Sequence, residues 1–144
     1  MAASTSTASL SALKAVLVVF GLLVLFTALN RAFGGIATLG WQGPSDFFAI
    51  ANDPAFRIQD SHTRFLGGIW TAIGLAFVAA PFRLATMRPV LNFLFAAVFL
   101  GGLARFTAPD FSVIFGPDVL VSLILELGLM PVLWFWLRTV PEKA

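Results

Sequence analysis

Four long runs of apolar residues, separated by shorter polar segments, dominate the sequence. They cover residues 11–31, 63–81, 89–106 and 118–138. Each run is close to the ~20 residues that a helix needs to cross ~30 Å of hydrocarbon. Because only helices and closed barrels satisfy all their backbone groups in lipid, the pattern predicts an all-α fold. We expect a single domain, an antiparallel bundle of four transmembrane helices.

The first run also resembles a signal peptide, since Lys14 is followed by an apolar stretch of suitable length. No convincing small-x-small cleavage site follows, so we interpret the run as a retained span. Residues 1–9 are rich in Ser, Thr and Ala and predict a flexible tail. Between the first two runs, residues 46–52 predict either a short interfacial helix or an ordinary surface loop.

The composition supports lipid as the solvent of this chain. Of its 144 residues, 59% are hydrophobic and 11% charged, and a soluble domain with so few charges would expose large apolar patches. The net charge is only +2 without a basic cluster, so nucleic acid is not an expected partner. The chain has no cysteine, and His62 is its one histidine. We therefore predict no metal site, no disulfide and no cofactor.

The basic residues indicate how the chain crosses the membrane. Arg83 and Arg88 lie between the second and third runs with no acid near them, and Lys14, Arg138 and Lys143 flank the first and last runs. Five aspartates collect at the opposite ends of the runs. The positive-inside rule then places both termini on the cytoplasmic side. The expected location is the bacterial inner (cytoplasmic) membrane, with several spans.

Of the charged residues in the apolar runs, three need an explanation, because an ionised side chain near the bilayer centre costs ~2.5 kcal/mol or more and needs a partner. Arg64 and Arg105 lie near the outer ends of the second and third spans. Glu126 lies eight residues beyond Asp118, about 12 Å deeper along a helix. We expect an Arg–Glu–Arg cluster in the outer half. It either holds the bundle together or forms a ligand or proton site.

Further polar residues lie at the same predicted level. Asn30, Arg31 and His62 are candidates for the same buried polar or ligand-binding cluster, although His62 is also typical of a solvated loop. In the fourth run, Pro131 predicts a kink one turn beyond Glu126, because proline cannot donate the helical hydrogen bond at its position.

Two glycine pairs stand in mirror order around the two arginines of the second and third spans. Each pair lies three to four residues deeper than its arginine, so antiparallel helices would hold both arginines at one level above a glycine notch. Such notches let helices approach closely. Alternatively, the pairs only serve packing and the arginines extend toward the interface. The predicted helix-packing residues are Gly67, Gly68, Thr71, Gly101 and Gly102.

These motifs also carry a resemblance to a known family. The segment from His62 to Gly74, the element Gly102-Leu-Ala-Arg105 and the later Glu126 occur in an order that resembles small bacterial four-helix membrane proteins described as a domain of unknown function. These proteins are similar in appearance to DoxX-like proteins. The resemblance runs from the first span to the fourth and implies a membrane bundle, with no particular reaction. The thiol-linked roles of some DoxX relatives do not carry over, because the chain has no cysteine.

Two functional hypotheses follow. The chain is a helical module that serves a larger membrane complex as an accessory subunit, or that binds a lipid-like or quinone-like molecule. Its partners would be membrane lipids, other membrane-protein subunits or further copies of itself. Alternatively, it is a membrane-embedded enzyme in which Glu126 acts as acid and base while Arg64 and Arg105 stabilise an anion. A transporter is less favoured, because the mirrored element is too short for an inverted repeat.

Overall fold

The computed structural model describes residues 2–38, 53–108 and 110–141, and every regular element in these ranges is helical. The all-α class is therefore confirmed for the described residues, whereas the predicted interfacial segment 46–52 lies outside them. The helices are α1 (Ala2–Gly34), α2 (Asp53–Ala79), α3 (Leu84–Ala104), α4 (Phe111–Ile114), α5 (Pro117–Ile124) and α6 (Met130–Thr139). Short 3-10 turns occupy Gly35–Thr38, Ala80–Arg83 and Arg105–Thr107, and a π-helical turn occupies Leu125–Leu129.

Three helical stretches are long and apolar enough to cross a membrane: Ala8–Gly34, Asp53–Thr107 and Pro117–Thr139. The second stretch contains both middle apolar runs of the sequence. Its regular α-helix is interrupted at Ala80–Arg83, where Arg83 has φ −141° and ψ 44°. Pro81 lies in this turn and cannot donate a backbone hydrogen bond, which accounts for the end of α2.

Helices α1, α2 and α3 all begin before the apolar runs of the sequence. Helix α1 begins at Ala2, inside the segment predicted as a flexible tail, because Ala and Ser extend a helix already formed by the apolar residues that follow. Helix α3 begins at Leu84, before Pro89, although proline favours a helix start. A proline in the second turn removes only the bond to the carbonyl four residues earlier, which the rest of a long apolar helix tolerates.

The chain divides into two compact units, which are described separately. The α1–α2 unit comprises Leu17–Ala79, and the α3–α6 unit comprises Met1–Val16 together with Ala80–Ala144.

In the α1–α2 unit the two helices pack antiparallel. A Cβ added at Gly21 would lie next to Phe77, one at Gly74 next to Leu25, and these pairs run in opposite directions along the chain. Phe20 packs edge-on against Phe77 with ring centroids 5.1 Å apart. The buried residues of α1 recur every three to four positions, which is the spacing of one helix face. Within this unit they are Leu17, Phe20, Gly21, Val24 and Ala28.

In the α3–α6 unit, α3 packs antiparallel against the end of the chain. The start of α3 meets the end of α6, where the Arg88 guanidinium donates to the carbonyls of Leu137 (2.7 Å) and Val140 (2.9 Å). These carbonyls have no helical partner, so Arg88 caps the carboxyl end of α6. The other end of α3 meets the π-helical turn, where Gly102 faces Leu127. The Trp136 indole donates to Ser9 Oγ at 2.9 Å, which holds a residue of the predicted tail.

Asp110 fixes the short connection between α3 and α5. Its carboxylate accepts from the Ser112 hydroxyl (2.6 Å) and from the backbone N–H groups of Ser112 and Val113, and so caps α4. These hydrogen bonds, the one from the Ser112 hydroxyl above all, hold the pKa of Asp110 below its usual value. Gly116 then precedes Pro117, which opens α5 at the position where its missing N–H costs nothing.

Candidate functional site

Arg105 and Glu126 form a bidentate ion pair in the α3–α6 unit. Arg105 Nε donates to Glu126 Oε2 and Arg105 Nη2 donates to Glu126 Oε1, both at 2.6 Å. The Glu126 side chain is 14% exposed and that of Arg105 36% exposed. Two parallel charge-assisted bonds fix both the distance and the orientation of the groups. Arg105 and Glu126, two of the three members of the predicted Arg–Glu–Arg cluster, are therefore in direct contact.

The π-helical turn determines where Glu126 points. Pro131 has no N–H to offer the carbonyl of Leu127, so the regular helical bonding fails just before it. Instead the Met130 N–H bonds back to the Leu125 carbonyl, five residues earlier. The predicted disturbance at Pro131 thus takes the form of a wider turn that contains Glu126. Such turns are frequent at functional sites.

Gly102 makes room for this turn. A Cβ at Gly102 would lie 2.9 Å from Glu126 Cβ and 2.7 Å from Leu127 Cδ2. The adjacent Gly101 has no atom of the described residues within 4 Å of such a Cβ. One glycine of this pair therefore allows the close approach, and the other faces open space.

Arg64 takes a different carboxylate as its partner. In the α1–α2 unit its Nε donates to Asp60 Oδ2 at 2.7 Å, and its Nη1 donates to the Phe33 carbonyl. Asp60 Oδ1 in turn accepts the backbone N–H of Ile36 at 2.7 Å. Gly35 lies between, with φ +66°, and a Cβ there would collide with the Asp60 carboxylate. Asp60 and Arg64 thus hold the turn that ends α1.

Asp60 precedes the second apolar run, so the sequence predicts it in the loop after the first run, and its role at the end of α1 was not predicted. The signal was present, because Asp60 and Arg64 are four residues apart and α2 already begins at Asp53. The three-membered cluster of Arg64, Arg105 and Glu126 stays a prediction.

The remaining predicted residues make local contacts or lie at the surface. The Asn30 amide donates to the Phe26 carbonyl of its own helix at 2.9 Å, whereas Arg31 and His62 are exposed. The Thr71 hydroxyl donates to the Gly67 carbonyl at 2.8 Å. Gly67 faces Ala32 of α1, with a Cβ at 2.8 Å from the Ala32 Cα.

Asp60→Ala should loosen the end of α1, because the Ile36 N–H and Arg64 both lose their acceptor. We expect the Ile36 amide to exchange with solvent about tenfold faster in Asp60→Ala than in the wild type. Asp53→Ala is the matched control, since Asp53 also pairs with an arginine four residues later but both side chains are largely exposed. Equal exchange rates in the wild type and Asp60→Ala would disprove this role.

A second feature of the α3–α6 unit is an apolar groove with a volume of about 320 Å³. Phe95 and Met130 form its buried floor, at 2% and 0% exposure, while Phe135 is 61% exposed. Its one amide side chain is that of Asn92. We call this feature the α3–α6 groove. It is lined by Asn92, Phe95, Ala96, Phe99, Met130, Pro131, Trp134 and Phe135.

The α3–α6 groove was not predicted from the sequence. Asn92 and Ala96 are four residues apart on α3 and so share a face, but apolar residues at this spacing also describe an ordinary core face. In the structure, the Arg138 guanidinium stacks over the ring of Trp134 at 3.7 Å, which supports one of the groove residues.

No group of three or more His, Asp or Glu side chains within residues 2–38, 53–108 and 110–141 is arranged to hold a metal ion. The polar contacts described above are ion pairs and hydrogen bonds, several of which cap helix ends.

Long apolar helices, closely packed antiparallel pairs and an ion pair between neighbouring helical segments are typical of a helical membrane protein. Residues 12–137 match the family described as "Domain of unknown function (DUF4345)". The match covers most of the chain, which therefore belongs to this family, and the resemblance to such a family is confirmed. No curated protein and no solved structure matches the chain.

Proposed function

We propose that the chain crosses the bacterial inner membrane four times, with both ends in the cytoplasm. The stretch Asp53–Thr107 supports two crossings, because a straight helix of 55 residues would extend about 80 Å, far beyond ~30 Å of hydrocarbon. Helices α2, with 27 residues, and α3, with 21, are each long enough for one crossing. The acid-free turn between them favours the cytoplasmic side.

Within this topology, we propose that the protein is a binding module for a lipid-like or quinone-like molecule. The observation that carries this proposal is the α3–α6 groove. Its volume lies at the lower end of the range of small-molecule sites, and its lining is aromatic and aliphatic. In a membrane such a groove is filled by an acyl or isoprenoid chain, since no water competes for it. The Asn92 amide offers a hydrogen bond to a carbonyl of the ligand.

The ion pair favours binding over catalysis. A general acid or base must be within reach of its substrate, but both oxygens of Glu126 accept hydrogen bonds from Arg105. We therefore assign Glu126 a structural role, with Arg105 as its counter-ion. A role as accessory subunit of a larger complex is compatible with ligand binding, because the groove occupies only part of the apolar surface.

Filling the α3–α6 groove should remove its ligand. We expect Ala96→Phe to reduce the co-purifying lipid or quinone about tenfold, because the new ring would occupy part of the space that Ala96 and the other groove residues line. Mass spectrometry of protein purified in mild detergent from its own membrane measures the molecules retained per chain. The matched control is Ala72→Phe, the same change at an exposed position of α2.

The comparison of these two variants decides the proposal. Retention by the wild type and Ala72→Phe, with loss in Ala96→Phe, supports it. Equal retention in both variants, or no stoichiometric apolar molecule on the wild type, would refute the binding role.

A further inference from the structure

A second pocket lies beside the start of α3, with a volume of about 410 Å³. It is lined by Lys14 of α1 and by residues 81–86. Pro81 and Leu84 are buried beneath it, whereas Arg83 and Thr86 are exposed. All these residues belong to the α3–α6 unit. We call it the basic pocket.

Among the residues that the structure describes, no carboxylate pairs with the cations of the basic pocket, Lys14 and Arg83. The sequence has no Asp or Glu in residues 2–38 or 80–104, the segments that supply its lining. The first turn of α3 contains no acidic residue, and its N-cap, Arg83, provides no side-chain cap. The helix dipole therefore adds to the two cations.

The surroundings of these cations are apolar on one side. Phe82 is 80% exposed although it is a large aromatic residue, and it lies between the buried Pro81 and the cationic Arg83. An exposed aromatic side chain next to basic groups suits the boundary between headgroups and acyl chains. A soluble anion would gain no binding free energy from Phe82. A phospholipid contacts the cations with its headgroup and Phe82 with its acyl chains.

We propose that the basic pocket binds the phosphodiester headgroup of an anionic phospholipid. Lys14 and Arg83 contact the phosphate oxygens, and Phe82 enters the acyl region beside them. The two cations bind phosphate in different ways. A guanidinium can donate to two phosphate oxygens at once, whereas an ammonium is a compact point charge on a flexible side chain. The site is separate from the α3–α6 groove and does not depend on a ligand there.

The test uses the full chain in lipid nanodiscs with equal amounts of phosphatidylglycerol and phosphatidylcholine. Native mass spectrometry then gives the ratio of the two lipids that stay bound. We expect the wild type to retain phosphatidylglycerol preferentially, by about 5-fold for each cation. The double variant Lys14→Gln/Arg83→Gln should bring the ratio close to one. Each single variant should give an intermediate ratio, which covers the case in which the double variant fails to fold.

The matched control for each single variant is Arg57→Gln, which removes one positive charge from an exposed arginine outside the pocket. It should keep the preference of the wild type. Unchanged preference in the Lys14 and Arg83 variants, or no preference in the wild type, would overturn the proposal. Displacement of the lipid by millimolar inorganic phosphate, but not by chloride of equal ionic strength, would overturn the lipid assignment in favour of a free phosphate.

Discussion

Glu126→Gln is expected to lower the free energy of unfolding by roughly 2–3 kcal/mol. The substitution leaves the Arg105 guanidinium beside α3 without its counter-ion, and an unpaired charge in such surroundings is costly. The expected loss is below that of a fully buried pair because 36% of the Arg105 side chain is exposed. Equilibrium unfolding in mixed micelles measures the change.

The chain supplies its own control for this experiment. Arg57 and Asp53 also form an ion pair, but their side chains are 75% and 66% exposed. Asp53→Asn should therefore change the free energy of unfolding by about 0.5 kcal/mol or less. If Glu126→Gln has no larger effect than Asp53→Asn, the pair does not stabilise the α3–α6 unit.

Gly67→Ala and Gly68→Ala should have opposite effects, although the two residues are neighbours. A Cβ at Gly67 would lie 2.8 Å from the Ala32 Cα, so α1 and α2 must separate, at a cost of roughly 2 kcal/mol. A Cβ at Gly68 meets no atom of the described residues within 4 Å. Alanine at that position should leave stability unchanged or raise it slightly, because alanine loses less backbone entropy.

The second glycine pair offers a weaker version of the same comparison. Gly102→Ala would press on the flexible end of Leu127 and on Glu126 Cβ, so its cost should be smaller than that of Gly67→Ala. Gly101→Ala should be neutral. Thermal unfolding of the four single variants, measured by circular dichroism in one detergent, ranks their stabilities. Equal effects of Gly67→Ala and Gly68→Ala would contradict the close approach of α1 and α2 at Gly67.

The helical class followed from the apolar runs, because their lengths match a membrane span and nothing but a helix satisfies such a run in lipid. The pair Arg105–Glu126 was also within reach of the sequence. Each is a charge inside an apolar run, and because an unpaired charge is costly there, an opposite charge on a neighbouring helix is expected. The sequence does not tell which glycine of each pair packs against a neighbouring helix, since this depends on the rotation of the helix about its own axis.

Two features depend on details that the apolar pattern does not contain. Asp60 was assigned to a loop because the second apolar run begins after it, yet polar residues extend α2 back to Asp53 and bring Asp60 one turn before Arg64. The α3–α6 groove depends on how the side chains of Phe95, Met130 and Trp134 fill the space between two helices. Side-chain packing of this kind is a property of the assembled unit.

Arg105 and Glu126 form a charged pair that, we propose, holds α3 and the π-helical turn together. A double-mutant cycle with Arg105→Met and Glu126→Met tests this most directly, because it isolates the interaction between the two side chains. We predict a favourable coupling free energy of about 1.5 kcal/mol or more. The double variant should therefore lose less stability than the sum of the losses in the two single variants. A coupling free energy near zero would contradict the account.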